Sequence, residues 1–269
     1  MVNLSLQSEV EIHSVPPFYF PPYPSLRNYW FSIDINSAVK YFVEQKQAIS
    51  LFIPGCMKDF PRSIINSAIV GLIVASYNIL AGTLGAFALT RITFKGNMPL
   101  FYGSIVGRLI PPVVIAIPYY MIMKSIGLLD TLQVVILVHI VFTMPFTIWI
   151  LNTYFLAIPT DMEDAARVDG YSYLEVLRKI TFPLIKPAIV AVGIMSFMTS
   201  YGEFFYALLL TATGASRTIP VIVGSAMADP IVIKGLVCAM GVIAIIPGLV
   251  VVMVFRRYLV RGLVAGAVK

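Results

Sequence analysis

The densest run of chemistry-bearing side chains is PTDMEDAARVDGYSYLEVLRKITFPLIKP, residues 159–187, where Asp161, Glu163, Asp164, Asp169 and Glu175 surround an Ala165-Ala166 pair and Gly170. Thr160 followed by Glu163 predicts a capping box that starts a helix at Asp161, and Gly170 predicts its stop. Ser172 followed by Glu175 predicts a second box, opening another helix that ends ahead of Pro183. The product is helix, tight turn, helix. Small alanines beside acids let a partner surface approach closely, and the glycine turn fixes the angle between the two arms. The acids argue against the other use of such a hairpin, lying on an anionic lipid surface. The chemistry is recognition, because no glycine-rich phosphate loop precedes a Lys-Ser or Lys-Thr pair and two isolated histidines make no metal site.

The elements that carry this hairpin are membrane helices. A hydrophobic share of 59%, a charged share of 12% and a mean hydropathy of +0.89 leave too little polar surface to cover a soluble globule. Five stretches, 63–90, 99–123, 131–158, 187–216 and 235–255, are each long enough to cross a hydrocarbon core of about 30 Å. The expected fold class is therefore all-α integral membrane, with five visible spans and none of the short alternating runs of a β protein. Lys and Arg place the ends: with the C-terminus inside, the short inner loops and tail hold ten, against Lys124, Arg217 and Lys234 outside. An odd number of spans puts residues 1–62 outside, a lead whose VPPFYFPPYPSLRNYW is expected to be extended and irregular. The domain division is thus an external lead (1–62), a transmembrane domain (63–260) containing the 159–187 loop, and a cytoplasmic tail (261–269). Cys56 and Cys238 belong to different depths and make no disulfide framework. The scattered basic excess offers no nucleic-acid surface.

The 159–187 loop resembles the EAA motif of ABC importer permeases, an Ala-Ala pair followed after three residues by Gly, after nine more by Ile, and then by a Leu-Pro-like pair. The matching positions are Asp164-Ala165-Ala166, Gly170, Ile180 and Phe182-Pro183, with Asp164 and Phe182 replacing the motif's Glu and Leu. LIPPVVIAIPYYMIMKSIGLLDT, FTMPFTIWILNTYF, YGEFFYALLLT, RTIPV and the ending RRYLVRGLVAGAVK resemble, in order, blocks of the carbohydrate-uptake permeases similar to the maltose system's smaller channel subunit. Tyr201-Gly202 stands where that family often has Trp-Asn.

The resemblance implies a type I importer transmembrane domain that is not an enzyme, in a multi-pass plasma-membrane protein with its C-terminus cytoplasmic. Its implied partners are a second, non-identical permease, two ATPase subunits, an external sugar-binding protein and the lipid bilayer. No cofactor is expected on this chain, since ATP and Mg²⁺ belong to the ATPases. Glu163, Asp164, Ala165, Ala166, Asp169 and Gly170 become the expected ATPase-coupling residues, with the tail after Arg257 a second cytoplasmic contact. Arg108, His139, Tyr201 and Glu203, polar groups within spans, are the candidates for lining the substrate path. Each has a plainer reading: Arg108 donates to carbonyls freed by Pro111 and Pro112, Glu203 faces the outer mouth, and His139 is a packing residue. Two other classes share part of the pattern. A type I permease for a non-sugar cargo would carry the same loop, whereas an ion-driven secondary transporter would show inverted repeats and acids in broken midplane helices, and this chain offers no visible repeat and one intramembrane acid, Glu203. Because nothing in the lead could send it across the membrane, the polypeptide is expected to begin upstream of Met1 and to carry a sixth span there.

Overall fold

The computed structural model describes residues 1–44, 55–229 and 232–267, and among them there are helices and no strands. Four short helices occupy the lead: α1 (Val2–Ser5), α2 (Glu9–Ile12), α3 (Arg27–Ile33) and α4 (Ile35–Glu44). Between α2 and α3 the proline-rich stretch is irregular, and RNYW begins α3. A 3₁₀ turn, Gly55–Asp59, leads into α5 (Phe60–Arg91). Then come α6 (Asn97–Gly107), α7 (Pro112–Ser125), α8 (Leu132–Leu156), α9 (Asp161–Val168), α10 (Tyr173–Val176) and α11 (Phe182–Tyr201). The chain closes with α12 (Phe205–Leu210), α13 (Ile219–Met227) and α14 (Lys234–Ala267). Residues 261–267 of the expected tail continue α14, while residues 268 and 269 lie outside the described residues.

Among the described residues, four helical stretches are long and apolar enough to cross a membrane, Gly55–Arg91, Leu132–Leu156, Tyr173–Tyr201 and Lys234–Arg257, and a fifth if α6 and α7 count as one. Three sequence expectations are corrected. The second span is broken: α6 and α7 meet at a 100° bend, where Pro111 and Pro112 lack the N–H groups that would continue the helix. The fourth ends at Tyr201 instead of running to 216, because the chain turns at Gly202. The helix opened at Ser172 does not stop before Pro183. A π-type turn, Leu177–Thr181, carries it into α11, and this widened turn accommodates the proline.

The chain forms two compact units, each with its own packing. One comprises Met1–Ile69, Met123–Val135 and Gly202–Leu249. Its core includes Phe31, Phe42, Met57, Phe60, Ile222 and Leu236, and its loops are held by side-chain amides and acids. Asn66 Nδ2 donates to Arg217 O (2.9 Å) and Ala215 O (3.2 Å). Asn28 Nδ2 ties Ser5 O and Gln7 O, and Glu9 accepts from the N–H of Gly235 at the start of α14.

The other unit comprises Val70–Ile122, Ile136–Tyr201 and Val250–Lys269. Phe87, Leu151, Phe155, Leu177, Ile189 and Val192 pack its centre. Helices in lipid gain little from apolar contact alone, so small residues and hydrogen bonds do the joining. On α5, Gly82 faces α8 so closely that a Cβ there would strike Thr147 Cγ2, and one at Gly71 would lie 2.8 Å from Phe197 on α11. Asn78 donates to Thr143 Oγ1 (2.6 Å), and Thr147 and Ser196 hydroxyls bond at 3.2 Å, joining α5, α8 and α11 in sequence. Gly82→Val is therefore expected to destabilise the protein by about 1–3 kcal/mol through overpacking. Gly85→Ala, whose Cβ would touch Ile148 at an ordinary 3.5 Å, is expected to leave the melting temperature in detergent unchanged.

Candidate functional site

Residues 159–187 lie wholly within the second unit. Helix α9 is short, eight residues, and too short to persist on its own. It buries one edge, Glu163 and Ala166, and exposes Asp161, Met162, Asp164, Ala165, Arg167 and Val168, with Asp169, its C-cap, exposed beside them. The Thr160 side chain makes no capping bond, which corrects the expected first capping box. Two causes are seen: Thr160 has helical angles (φ −71°, ψ −22°) instead of the extended ones that aim a capping oxygen, and the Glu163 carboxylate that would have reached back is taken by Arg91, the last residue of α5. Arg91 Nε donates to Glu163 Oε2 at 2.7 Å, and Arg91 Nη2 to Glu163 Oε1 at 3.1 Å. Both side chains are more than nine-tenths buried. Thr181 Oγ1 donates to the same Oε1 at 3.2 Å.

The turn that follows is a complete Schellman closure. Gly170 takes φ +90°, its N–H bonds Arg167 O at 3.1 Å, and Tyr171 N–H bonds Ala166 O at 3.0 Å. The second capping box is present: Ser172 N donates to Glu175 Oε2 at 3.0 Å, and Glu175 N donates to Ser172 Oγ at 3.4 Å. Two cations of the hairpin are engaged within it. The Arg167 guanidinium lies 4.3 Å from the centre of the Tyr173 ring and Lys179 Nζ 4.5 Å from that of Tyr171, while Lys179 also pairs with Glu175 at 3.2 Å. What α9 presents outward is thus acidic and apolar: Asp161, Asp164 and Asp169 with Met162 and Val168. Two of those acids, Asp161 and Asp164, also stand on the partial positive charge of the first turn, where they are stabilising. Of the six expected coupling residues, four are exposed, Asp164, Ala165, Asp169 and Gly170, and two, Glu163 and Ala166, face inward. Arg91 and Thr181 were missed by sequence reasoning. The available signal was the position of Arg91, a guanidinium at the very end of a span without acids.

Of the four path candidates, Arg108, His139 and Tyr201 belong to the second unit and Glu203 to the first. Arg108 caps α6 at the bend, its guanidinium 4.9 Å from the Phe146 ring centre, in a cleft lined by Ile105, Leu109, Pro145, Phe146 and Trp149. His139 is buried on α8, with Nδ1 2.7 Å from Ser200 Oγ on α11. Tyr201 ends α11 and stacks on Phe197, rings 5.5 Å apart. Glu203 lies in the first unit, its carboxylate accepting the N–H groups of Tyr206 (2.9 Å) and Ala207 (3.0 Å) at the start of α12.

Comparison with known proteins places this geometry. Residues 78–264 match the model of the family described as "Binding-protein-dependent transport system inner membrane component". The trehalose transport system permease protein SugB of Mycobacterium tuberculosis is 34% identical over 215 residues, covering 78% of this chain and 77% of that protein. The trehalose/maltose permease protein MalG of Thermococcus litoralis is 33% identical over 216 residues, 78% of this chain and 76% of that one. The sulfoquinovosyl glycerol permease protein SmoH of Agrobacterium fabrum is 29% identical over 265 residues, 98% of this chain and 85% of its own length. Among solved structures, a bacterial ABC transporter that imports the acidic polysaccharide alginate matches with a TM-score of 0.71 at 20% identity, over 95% of this chain and 87% of that one. The MetNI methionine transporter matches with a TM-score of 0.60 at 17% identity, over 76% of this chain and 95% of its own. At these identities the structural likeness speaks for the fold alone.

Proposed function

This chain belongs to the family of binding-protein-dependent transport system inner membrane components, and from that premise we propose that it is a permease subunit of a sugar importer whose ATPase docks on α9. It is a multi-pass subunit of the inner membrane and not a catalytic one. The observation that carries the docking role is the exposed face of α9, three acids and two apolar side chains on a helix set by a Schellman turn. A connection between spans needs no such face. A cleft on an ATPase lined by Arg or Lys, with an apolar floor for Met162 and Val168, is its complement.

Sugar as cargo is supported by relatives named for trehalose, maltose and sulfoquinovosyl glycerol. The same reading gives the chain a second, non-identical permease beside it, two ATPase subunits carrying ATP and Mg²⁺, an external sugar-binding protein, and a cytoplasmic C-terminus. With α9 docked, closure of the ATPases moves the hairpin, and the spans continuous with it carry that motion to the path.

Asp164→Lys tests the reading directly. It reverses the charge at an exposed position, so the variant is expected to insert normally and to lose the co-purifying ATPase at least about ten-fold, the scale set by one charge-assisted contact. Undiminished ATPase recovery with Asp164→Lys and Asp161→Lys combined would remove α9 as the docking element. Cargo is tested separately, by the sugars that the partner binding protein retains in calorimetry.

A further inference from the structure

Four elements end at one buried point. Arg91 closes α5, and its Nη2 donates to Phe155 O (2.8 Å) in the last turn of α8 and to Ile158 O (3.0 Å) just beyond it. The same guanidinium forks onto Glu163 of α9. Glu163 in turn accepts from Thr181, fully buried in the π-type turn that opens α11. One residue earlier, Thr90 Oγ1 accepts from Asn152 of α8 at 2.9 Å, so the α5–α8 junction is fastened twice.

Stability alone does not account for this arrangement. A buried ion pair loses so much hydration that apolar side chains of the same volume generally hold a core as well or better. What an ion pair with a forked guanidinium adds is registry, because its bonds form at one distance and one angle only. Apolar packing could let α9 slide or rock by an ångström or two, as helices at interfaces do. The fork, the two carbonyls and the threonine together forbid it. We propose that Arg91, Glu163 and Thr181 form a positioning latch that makes α9 one rigid body with the ends of α5, α8 and α11, so that displacement of α9 reaches three spans at once. This rests on α9 being the element an ATPase moves. The two adjacent acids then have different roles, with Asp164 facing outward to the partner and Glu163 facing inward to the spans.

The test measures rigidity and docking separately in the complete purified complex. Spin labels are placed at Thr160→Cys, the exposed N-cap of α9 whose side chain makes no capping bond, and at the exposed Leu84→Cys on α5, after replacement of Cys56 and Cys238 by serine. Pulsed electron–electron distances are recorded without nucleotide and with ATP and vanadate. With the latch intact, one narrow distance is expected in both states. Glu163→Gln removes the charge and Arg91→Lys the fork, and each is expected to keep the ATPase bound while the distribution with ATP and vanadate widens at least about two-fold. Thr181→Val, nearly isosteric, removes a single bond and is expected to widen it less. It also carries the test if the first two variants fail to fold. A distribution that stays narrow in Thr181→Val and in whichever charge variant is recovered would overturn the latch. Loss of the ATPase from Glu163→Gln, with Asp164→Lys retaining it, would overturn it differently, by making the buried acid the docking contact.

Discussion

Gly170→Val is expected to leave the subunit in the membrane, deprive it of its ATPase and stop uptake. The cause is confined to the backbone. Gly170 holds φ +90° at the closure of α9, and a Cβ built there would meet nothing within 4 Å, so no clash with a neighbour enters. A β-branched residue resists positive φ, and the left-handed region costs an L-residue about 1–2 kcal/mol, on the order of five- to thirty-fold in the population of the native turn. The chain escapes by unwinding the turn, which releases the bonds from Gly170 N–H to Arg167 O and from Tyr171 N–H to Ala166 O. Those bonds set the angle between the arms. Gly170→Asn is the discriminating control, since Asn tolerates the left-handed region and is the usual alternative at this position. Co-purified ATPase should fall steeply with valine, less with alanine and hardly at all with asparagine. Equal recovery across the series, with uptake intact, would take the turn out of the coupling path.

The parts of this hairpin that the sequence disclosed are those whose causes are local. A glycine after a helical run and a serine three residues ahead of a glutamate act within one turn of chain, and both the Gly170 closure and the Ser172 box are present. The spans were legible for a similar reason, since apolar length needs no partner to be recognised. What remained hidden depends on residues far away in the chain. Thr160 and Glu163 have the spacing of a capping box, yet the carboxylate goes to a guanidinium 72 positions earlier, and a doubly bonded fork outcompetes one backbone N–H. The break between α6 and α7 was obscure because apolarity is equal on both sides of RLIPP. Pro183 misled in the opposite direction: a proline ends a regular helix, but a π-type turn before it lets the axis continue. Glu203, a charge within an apolar run, has its carboxylate on the first N–H groups of α12, partners only three and four residues on.

Asp130→Ala is expected to loosen the loop that follows α12 without touching the hairpin. Asp130 stands in the short connection before α8 with φ 60°, a conformation that Asp and Asn tolerate better than other side chains. Its carboxylate accepts from Ala212 N (2.8 Å), Thr213 N (2.9 Å), Thr213 Oγ1 (2.8 Å) and the Ser216 hydroxyl, while its own N–H donates to Leu210 O at 2.9 Å. Partial burial alone would raise the acid's pKa. Hydrogen bonds from Ser216, Thr213 and Ala212 outweigh that and hold it down to about 2, against an ordinary 3.8. The ionised form is therefore the one that fits. A depressed acid contributes stability that is complete above its unfolded value and is lost as the pH falls through its folded one, so the staple is at full strength from neutral pH down to about 4 and fails on approach to 2. Alanine removes every side-chain bond and also strains a positive φ. At about 1.5–3 kcal/mol for a hydrogen bond to a charged group, hydrogen exchange at Ala212 and Thr213 should accelerate by about ten- to a hundred-fold. Asp130→Asn keeps an accepting oxygen and a tolerant backbone, so it should fall between wild type and alanine at neutral pH. Its exchange rates should then stay flat between pH 4 and 2, after correction for intrinsic exchange, where the wild-type loop opens. Wild-type protection that persists unchanged at pH 2, or an alanine variant that exchanges no faster than wild type at pH 7, would show that the backbone alone holds this loop.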